Sequence, residues 1–240
     1  MLRLLDPLVS LVFPEFCHVC GELVESTSDG VACRACWERV RFLTVDSPLC
    51  GKCGRFLIDG RPGAVARCGQ CNDHFYDQAR SAGLYEFALL ATVLSLKNVP
   101  WVPSTAAKAL EWAIPLLPVG PDHIVMPVPL SKKRLAERGF DQAAILARLV
   151  SRKARLPLDE FSLIRVRDTQ MHRTAMDRKA REASVKGAFA VTRPALIKDR
   201  HILLVDDVMT TGASASHCAF SLKKNGAASV NVLTLARAVG

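Results

Sequence analysis

Eight of the nine cysteines form four Cys-x-x-Cys pairs within the first 71 residues: Cys17/Cys20, Cys33/Cys36, Cys50/Cys53 and Cys68/Cys71. Two residues between thiolates let one turn of backbone aim both sulfurs at one ion, and two such pairs complete a tetrahedral shell. The pattern predicts two structural Zn2+ sites; redox or disulfide use, or an iron–sulfur cluster, are the alternatives. The pairs are separated by 12, 13 and 14 residues, so spacing does not decide which pairs share an ion. A repeat bears on the choice: Cys17-His-Val-Cys20-Gly21 is echoed by Cys50-Gly-Lys-Cys53-Gly54, and a further pair follows each. We read two copies of one ribbon, each with its own zinc, and leave open a crossed pairing of 17/20 with 50/53. Glycine after the second cysteine suits the positive φ of a zinc knuckle. His18 and His74 lie near the pairs and are available as substitute ligands. Cys218, outside the pairs, reads as a small buried hydrophobe.

The second chemical signal is ILLVDDVMTTGAS, residues 202–214. An apolar strand delivers two adjacent carboxylates, Asp206 and Asp207, to its tip, and a turn into a helix follows. Two carboxylates accept hydrogen bonds from a vicinal diol. The Thr210 and Thr211 hydroxyls, the amides of Gly212, Ala213 and Ser214, and a helix N-terminus make an anion site. The combination describes a ligand with a ribose diol on one side and a 5′-phosphate on the other. The bland alternative is a solvated strand end followed by a helix cap.

The elements that must position these groups follow from periodicity. Ser81–Tyr85, His123–Val128, Phe161–Val166, Ala188–Val191, His201–Val208 and Val230–Ala236 read as strands. Phe87–Leu96, Ser104–Leu117, Phe140–Lys153 and Ala213–Asn225 read as helices, with Ile145, Leu146, Leu149 and Val150 inward on the third. Alternating strands and helices predict an α/β unit around a mostly parallel sheet flanked by helices, with its ligand beyond the carboxyl ends of the strands. We divide the chain into residues 1–78, a helix plus double ribbon, and 79–240, the α/β unit. Leu2, Leu5, Leu8, Val9, Val12 and Phe13 recur at helical spacing and predict a helix docked on the larger unit.

Half of the 240 residues are apolar and 23% are charged, which excludes disorder over most of the chain. No 18-residue apolar run occurs, so no membrane span is expected. Asp6 and Pro7 interrupt the apolar start and no small-residue cleavage site follows, which argues against a signal peptide. With zinc thiolates, this points to the cytoplasm. The net charge of +9 divides into −2 for residues 1–78 and +11 for the rest, with 15 basic and 7 acidic residues in Leu130–Lys186. Two four-thiolate zinc sites take the ribbons to about −6, a poor surface for gripping a phosphate backbone. Scaffolding, capping or docking suits them better. The basic region is either a solvated face or a surface for a phosphate-rich partner.

ILLVDDVMTTGAS resembles the phosphoribosyl-pyrophosphate motif of type I phosphoribosyltransferases. PVPLSKKRLAERGFDQ (127–142), then Gln170, Arg181 and Gly187-Ala-Phe189, and the cysteine-rich front resemble, in the same order, the ComF/GntX-like competence proteins. The likeness spans nearly the whole chain. It implies a type I phosphoribosyltransferase-like fold binding phosphoribosyl pyrophosphate or a related nucleotide with Mg2+, and a phosphoribosyltransferase if active. It implies that a loop at Ser131–Gly139 holds pyrophosphate through Arg134 and Arg138, supported by Lys132 or Lys133; the alternative is an exposed basic helix end. Gln170, Arg178 and Arg181 would sit on a closing loop. It also admits a non-enzymatic protein of DNA uptake or processing that binds single-stranded DNA or DNA-uptake proteins. Asp141 stands where the family pattern has Asn, Ser184 stands where Asn is expected, and Gln170 lies about three residues farther from Phe189 than the pattern has it.

Overall fold

The computed structural model describes residues 14–57, 67–168 and 185–238. The expected N-terminal helix, together with Gln170, Arg178, Arg181 and Ser184, lies outside the described residues. Helix α1 (Arg34–Glu38) belongs to the cysteine-rich front, and β1 (Gln78–Leu84) begins the sheet. There follow α2 (Phe87–Ser95), α3 (Ser104–Ala113), β2 (His123–Pro127), α4 (Lys132–Arg138) and α5 (Gln142–Ala154). The chain continues through β3 (Leu163–Arg165), β4 (Phe189–Val191), α6 (Pro194–Ile197), β5 (His201–Met209), α7 (Ala213–Lys224) and β6 (Ser229–Arg237).

Four strands pair in parallel in the order β1-β6-β5-β2. Side chains alternate across a strand, so each strand feeds two cores. Leu203 and Val205 of β5 pack with α2, α3 and α5, while Ile202 and Leu204 pack with α7 on the other face. All four are fully buried, as expected of a strand covered on both sides. The architecture is a mixed α/β domain with a largely parallel sheet between helices, preceded by the ribbons.

The outer edge of β1 is covered by the ribbons. Leu43 N–H donates to Ala82 C=O (2.9 Å), Leu84 N–H to Arg41 C=O (3.0 Å) and Ala79 N–H to Lys52 C=O (2.7 Å). At the opposite edge, Val125 N–H donates to Pro157 C=O and Asp159 N–H to Val125 C=O, both 2.9 Å. Both margins of the sheet are thereby closed to edge-to-edge pairing.

Several expectations need correction. Residues 132–138 form a helix rather than a loop; Ser131 Oγ accepts from Arg134 N–H and Gly139 (φ 78°) ends it. That helix buries none of its residues, so it carries no apolar stripe for periodicity to detect. β3 and β4 leave the parallel sheet and pair antiparallel with each other, because residues 157–159 already occupy the β2 edge. On α5, Leu146 and Val150 are buried, but Ile145 and Leu149 are only half-buried, and Gln142, Ala143 and Ala147 share the inner face. Asp206 and Asp207 lie within β5 rather than at its tip, because β6 runs beside them until Arg237 pairs with Met209.

The ribbon–sheet contact requires a residue without a side chain at 83. A Cβ there would stand 2.5 Å from Leu89 Cδ1 and 3.1 Å from Arg41 C=O. Gly83→Val is expected to cost about 1–3 kcal/mol through overpacking, read as a lower melting temperature. An unchanged melting temperature would show that the contact is loose.

Candidate functional site

The structure brings the cysteines together as two sequential quartets, Cys17/Cys20/Cys33/Cys36 and Cys50/Cys53/Cys68/Cys71. The crossed pairing is thereby excluded. Cys20 and Cys33 Sγ lie 3.6 Å apart, Cys50 and Cys71 3.7 Å, and Cys53 and Cys68 3.5 Å. A tetrahedron with Zn–S bonds of about 2.3 Å has sulfur–sulfur edges of about 3.8 Å, so both quartets fit a zinc ion. Val19 N–H donates to Cys17 Sγ and Cys68 N–H to Cys50 Sγ, both at 3.4 Å, a pattern that favours thiolate. Burial works against ionisation at Cys17 and Cys50, but backbone donors outweigh it and hold both at about 6. Gly21 (φ 80°) and Gly54 (φ 64°) adopt the positive φ expected after each knuckle. Neither His18 nor His74 joins a quartet; His74 Nδ1 instead shares a hydrogen bond of 2.6 Å with Tyr76 OH. Cys218 is fully buried among apolar side chains.

At the carboxyl end of the sheet lies a cleft of about 680 Å³. It is lined by Asp206 and Asp207 of β5, by Thr210 to Ser214 of the following turn, and by Arg134 and Arg138 of α4. Gly212 is the N-cap of α7 at φ 83°, a left-handed conformation that glycine adopts without strain. Helix geometry leaves the first-turn amides, including those of Ser214 and Ala215, without partners inside the helix, and both residues line the cleft. The space a Cβ on Gly212 would take is filled from behind. Met209 Cε lies 3.0 Å from it, Tyr76 OH 3.1 Å and His74 Cε1 3.2 Å. The need for glycine at 212 thus comes from the packing behind the turn as well as from its φ.

The double zinc ribbon domain pattern matches residues 8–72. The chain is 30% identical over 239 residues to the DNA utilization protein YhgH of Salmonella typhi, covering 95% of this chain and 99% of that one. The chain belongs to the ComF/YhgH family of competence proteins. Competence protein F of Haemophilus influenzae is 29% identical over 222 residues, 86% of this chain and 90% of that protein. Among solved structures, the allosteric regulatory enzyme of purine biosynthesis aligns at 18% identity and a TM-score of 0.36. That alignment covers 69% of this chain and 30% of that enzyme.

In this family member the cleft gathers every carboxylate, arginine and turn residue singled out in the two sequence motifs. It also recruits Lys97, Gln142, Arg165 and Asp168, which sequence reasoning gave no role. Lys97 had a visible signal, since it ends the apolar run of α2. Arg165 and Asp168 had none, because only the β3–β4 excursion brings them to the cleft. Asp207 is buried; its Oδ1 accepts from Val208 N–H (2.7 Å) and its Oδ2 from Gln142 Nε2 (3.3 Å). Burial raises Asp207, opposed by the Val208 amide and the Lys97 charge. Burial and the neighbouring Asp207 charge push Asp206 well above the usual carboxylate range, and Asp141 adds to this. No helix among the described residues is long and apolar enough to cross a membrane.

Carboxyls with raised pKa bind protons more readily folded than unfolded. Stability of the unliganded protein therefore falls as pH rises from about 4 through their raised values. Asp206→Asn keeps the shape and removes the charge. It is expected to add about 0.5–2 kcal/mol at neutral pH, the gain disappearing below about pH 4 where Asp206 is already neutral. Melting temperatures across the pH range test this. For the quartets, native mass spectrometry should find two zinc ions per chain, and chelation should unfold the ribbons, since metal binding is part of their folding free energy. Recovery of a stable metal-free front with four disulfides would overturn the zinc reading.

Proposed function

We propose that the cleft binds phosphoribosyl pyrophosphate or a related nucleotide, making this a type I phosphoribosyltransferase-like protein. The observation that carries the reading is the Asp206-Asp207 pair leading, within one strand and turn, into an orphan-amide helix start at Gly212. Asp206 and Asp207 accept from the ribose hydroxyls. Thr210, Thr211, Gly212, Ala213 and Ser214 surround the 5′-phosphate. Arg134 and Arg138 meet the pyrophosphate across the cleft, where a planar guanidinium suits phosphate oxygens. Arg138 Nη1 is already oriented by Gln142 Oε1 at 2.9 Å. Mg2+ would be held mainly by ligand oxygens and water, with the Asp206 and Asp207 carboxylates in reach of the ligand, and would offset charge on the leaving pyrophosphate.

Under this reading Asp206 and Asp207 act at the reacting sugar of a phosphoribosyl transfer to an acceptor. The setting we propose is DNA uptake or nucleotide metabolism in the cytoplasm, since free thiolates suit a reducing compartment. The double ribbon of residues 1–78 serves the α/β unit of residues 79–240 as scaffold. A second reading, a non-enzymatic protein that binds single-stranded DNA or DNA-uptake proteins, draws on the DNA utilization and competence names of the relatives and on α4. There Lys132 and Lys133 are exposed beside half-buried Arg134 and Arg138.

Calorimetric titration with phosphoribosyl pyrophosphate and Mg2+, then with single-stranded DNA, separates the two. The first reading expects pyrophosphate-ligand binding that weakens by about 1.5–3 kcal/mol for each charged hydrogen bond removed in Asp206→Asn, Asp207→Asn or Arg134→Ala. Binding of DNA alone, weakened and less salt-dependent when Lys132, Lys133 and Arg134 become alanine, would favour the second.

A further inference from the structure

The two quartets occupy different surroundings. Cys17, Cys33 and Cys36 pack with α2 and α3, whereas Cys50, Cys53 and Cys71 share a core with Tyr76, Met209 and Ala213. The second quartet therefore stands directly behind the turn that walls the cleft. A cavity of about 100 Å³ lies between them, lined by Cys53, Arg55, Gln70, Cys71 and His74 together with Thr211 and Arg237. Lys52 Nζ donates to His74 C=O at 2.7 Å, and Phe75 N–H to Ser216 Oγ of α7 at 3.1 Å. His74 and Tyr76 fill the space behind Gly212.

Arg237 completes the connection. It is 3% exposed, and its Nη2 donates to Cys53 Sγ at 3.8 Å. Its Nε and Nη1 have no partner among the described residues. A buried guanidinium needs a counter-charge, and a four-thiolate zinc site carries a net charge of −2. The backbone of Arg237 pairs with Met209, and Ala238 N–H donates to Met209 C=O at 3.0 Å. Met209 is the residue from which the turn departs. A quartet closed by metal would hold Arg237 at the end of β6, which is paired to the start of the turn.

We propose that the Cys50/Cys53/Cys68/Cys71 quartet and Arg237 form a positioning device for the Thr210–Ser214 turn, so that zinc in this quartet and a sugar phosphate in the cleft bind cooperatively, while the first quartet is uncoupled. This rests on the phosphate reading of the turn. Coupling of two binding equilibria is reciprocal, so the effect is measurable from the zinc side without any activity.

The zinc-loaded full chain is treated with a chelator and iodoacetamide, with and without saturating ribose 5-phosphate, and peptide mapping follows each cysteine. Ribose 5-phosphate binding is measured separately by calorimetry. The expected result is that the sugar phosphate slows alkylation of Cys50, Cys53, Cys68 and Cys71 about tenfold, within the usual range of allosteric coupling, and leaves Cys17, Cys20, Cys33 and Cys36 unchanged. Arg237→Gln should abolish that selectivity and weaken ribose 5-phosphate binding by a similar factor, and Arg237→Lys should restore part of both. Equal protection of the two quartets, or none, in a protein that binds the probe would overturn the proposal and leave the phosphate reading standing. Absence of probe binding in the unaltered chain would overturn both. Should Arg237→Gln fail to fold, the footprint of the unaltered chain decides alone.

Discussion

Three main-chain hydrogen bonds along the outer edge of β1 govern how the rest of the structure is arranged. A parallel sheet leaves unpaired N–H and C=O groups on its last strand, and here residues 41–43 and Lys52 of the ribbons satisfy them. Two glycines permit the approach: a Cβ on Gly54 would stand 2.5 Å from Ala79 C=O, and one on Gly83 would meet Leu89. A ribbon of this size cannot build much core of its own. Its buried residues, Trp37 and the cysteines among them, are accordingly shared with the two cores of the sheet. The same docking that protects the edge sets one quartet beside α2 and α3 and the other behind the cleft.

The cleft is assembled at a cost to stability. β6 accompanies β5 past Asp206 as far as Met209, which buries the carboxylates and raises both. Donors offset part of that cost, namely the Val208 amide and Gln142 Nε2 on Asp207 and the Asp207 amide on Asp206, but burial still leaves both carboxyls raised. Asp141 fits the same logic. Its Oδ1 accepts from Ala143 and Ala144 N–H and its Oδ2 from Leu130 N–H. Three donors converge on two acceptor oxygens, and an Asn side chain would turn an NH2 group toward one of them. The aspartate thereby joins the start of α5 to the turn at Pro127–Pro129 beside the arginines, while its charge raises Asp206 further.

Patterns local in the chain were legible from sequence. Cys-x-x-Cys spacing, the continuous Ile202–Val205 run and the Asp-Asp-x-x-Thr-Thr-Gly order each express chemistry within a few residues, and the quartets, the central strand and the cleft follow them. A stripe of apolar residues announces a helix only when the helix is buried, so periodicity left exposed α4 unmarked, between the loop that the family likeness implied and an exposed basic helix end. Strand propensity does not name a partner, so β3 and β4 read as members of a sheet they do not join.

By itself, then, the sequence determined the cysteine pairs suited to metal, the α/β alternation and the two motifs whose carboxylates, arginines and turn residues share the cleft. Tertiary structure alone decided which cysteine pairs share a site, that Lys97, Arg165 and Asp168 reach the cleft, and that Arg237 links Cys53 to the end of β5. The reason is distance along the chain. Cys53 and Arg237 are 184 residues apart, and no local pattern encodes a contact that exists only after the ribbons close the edge of the sheet.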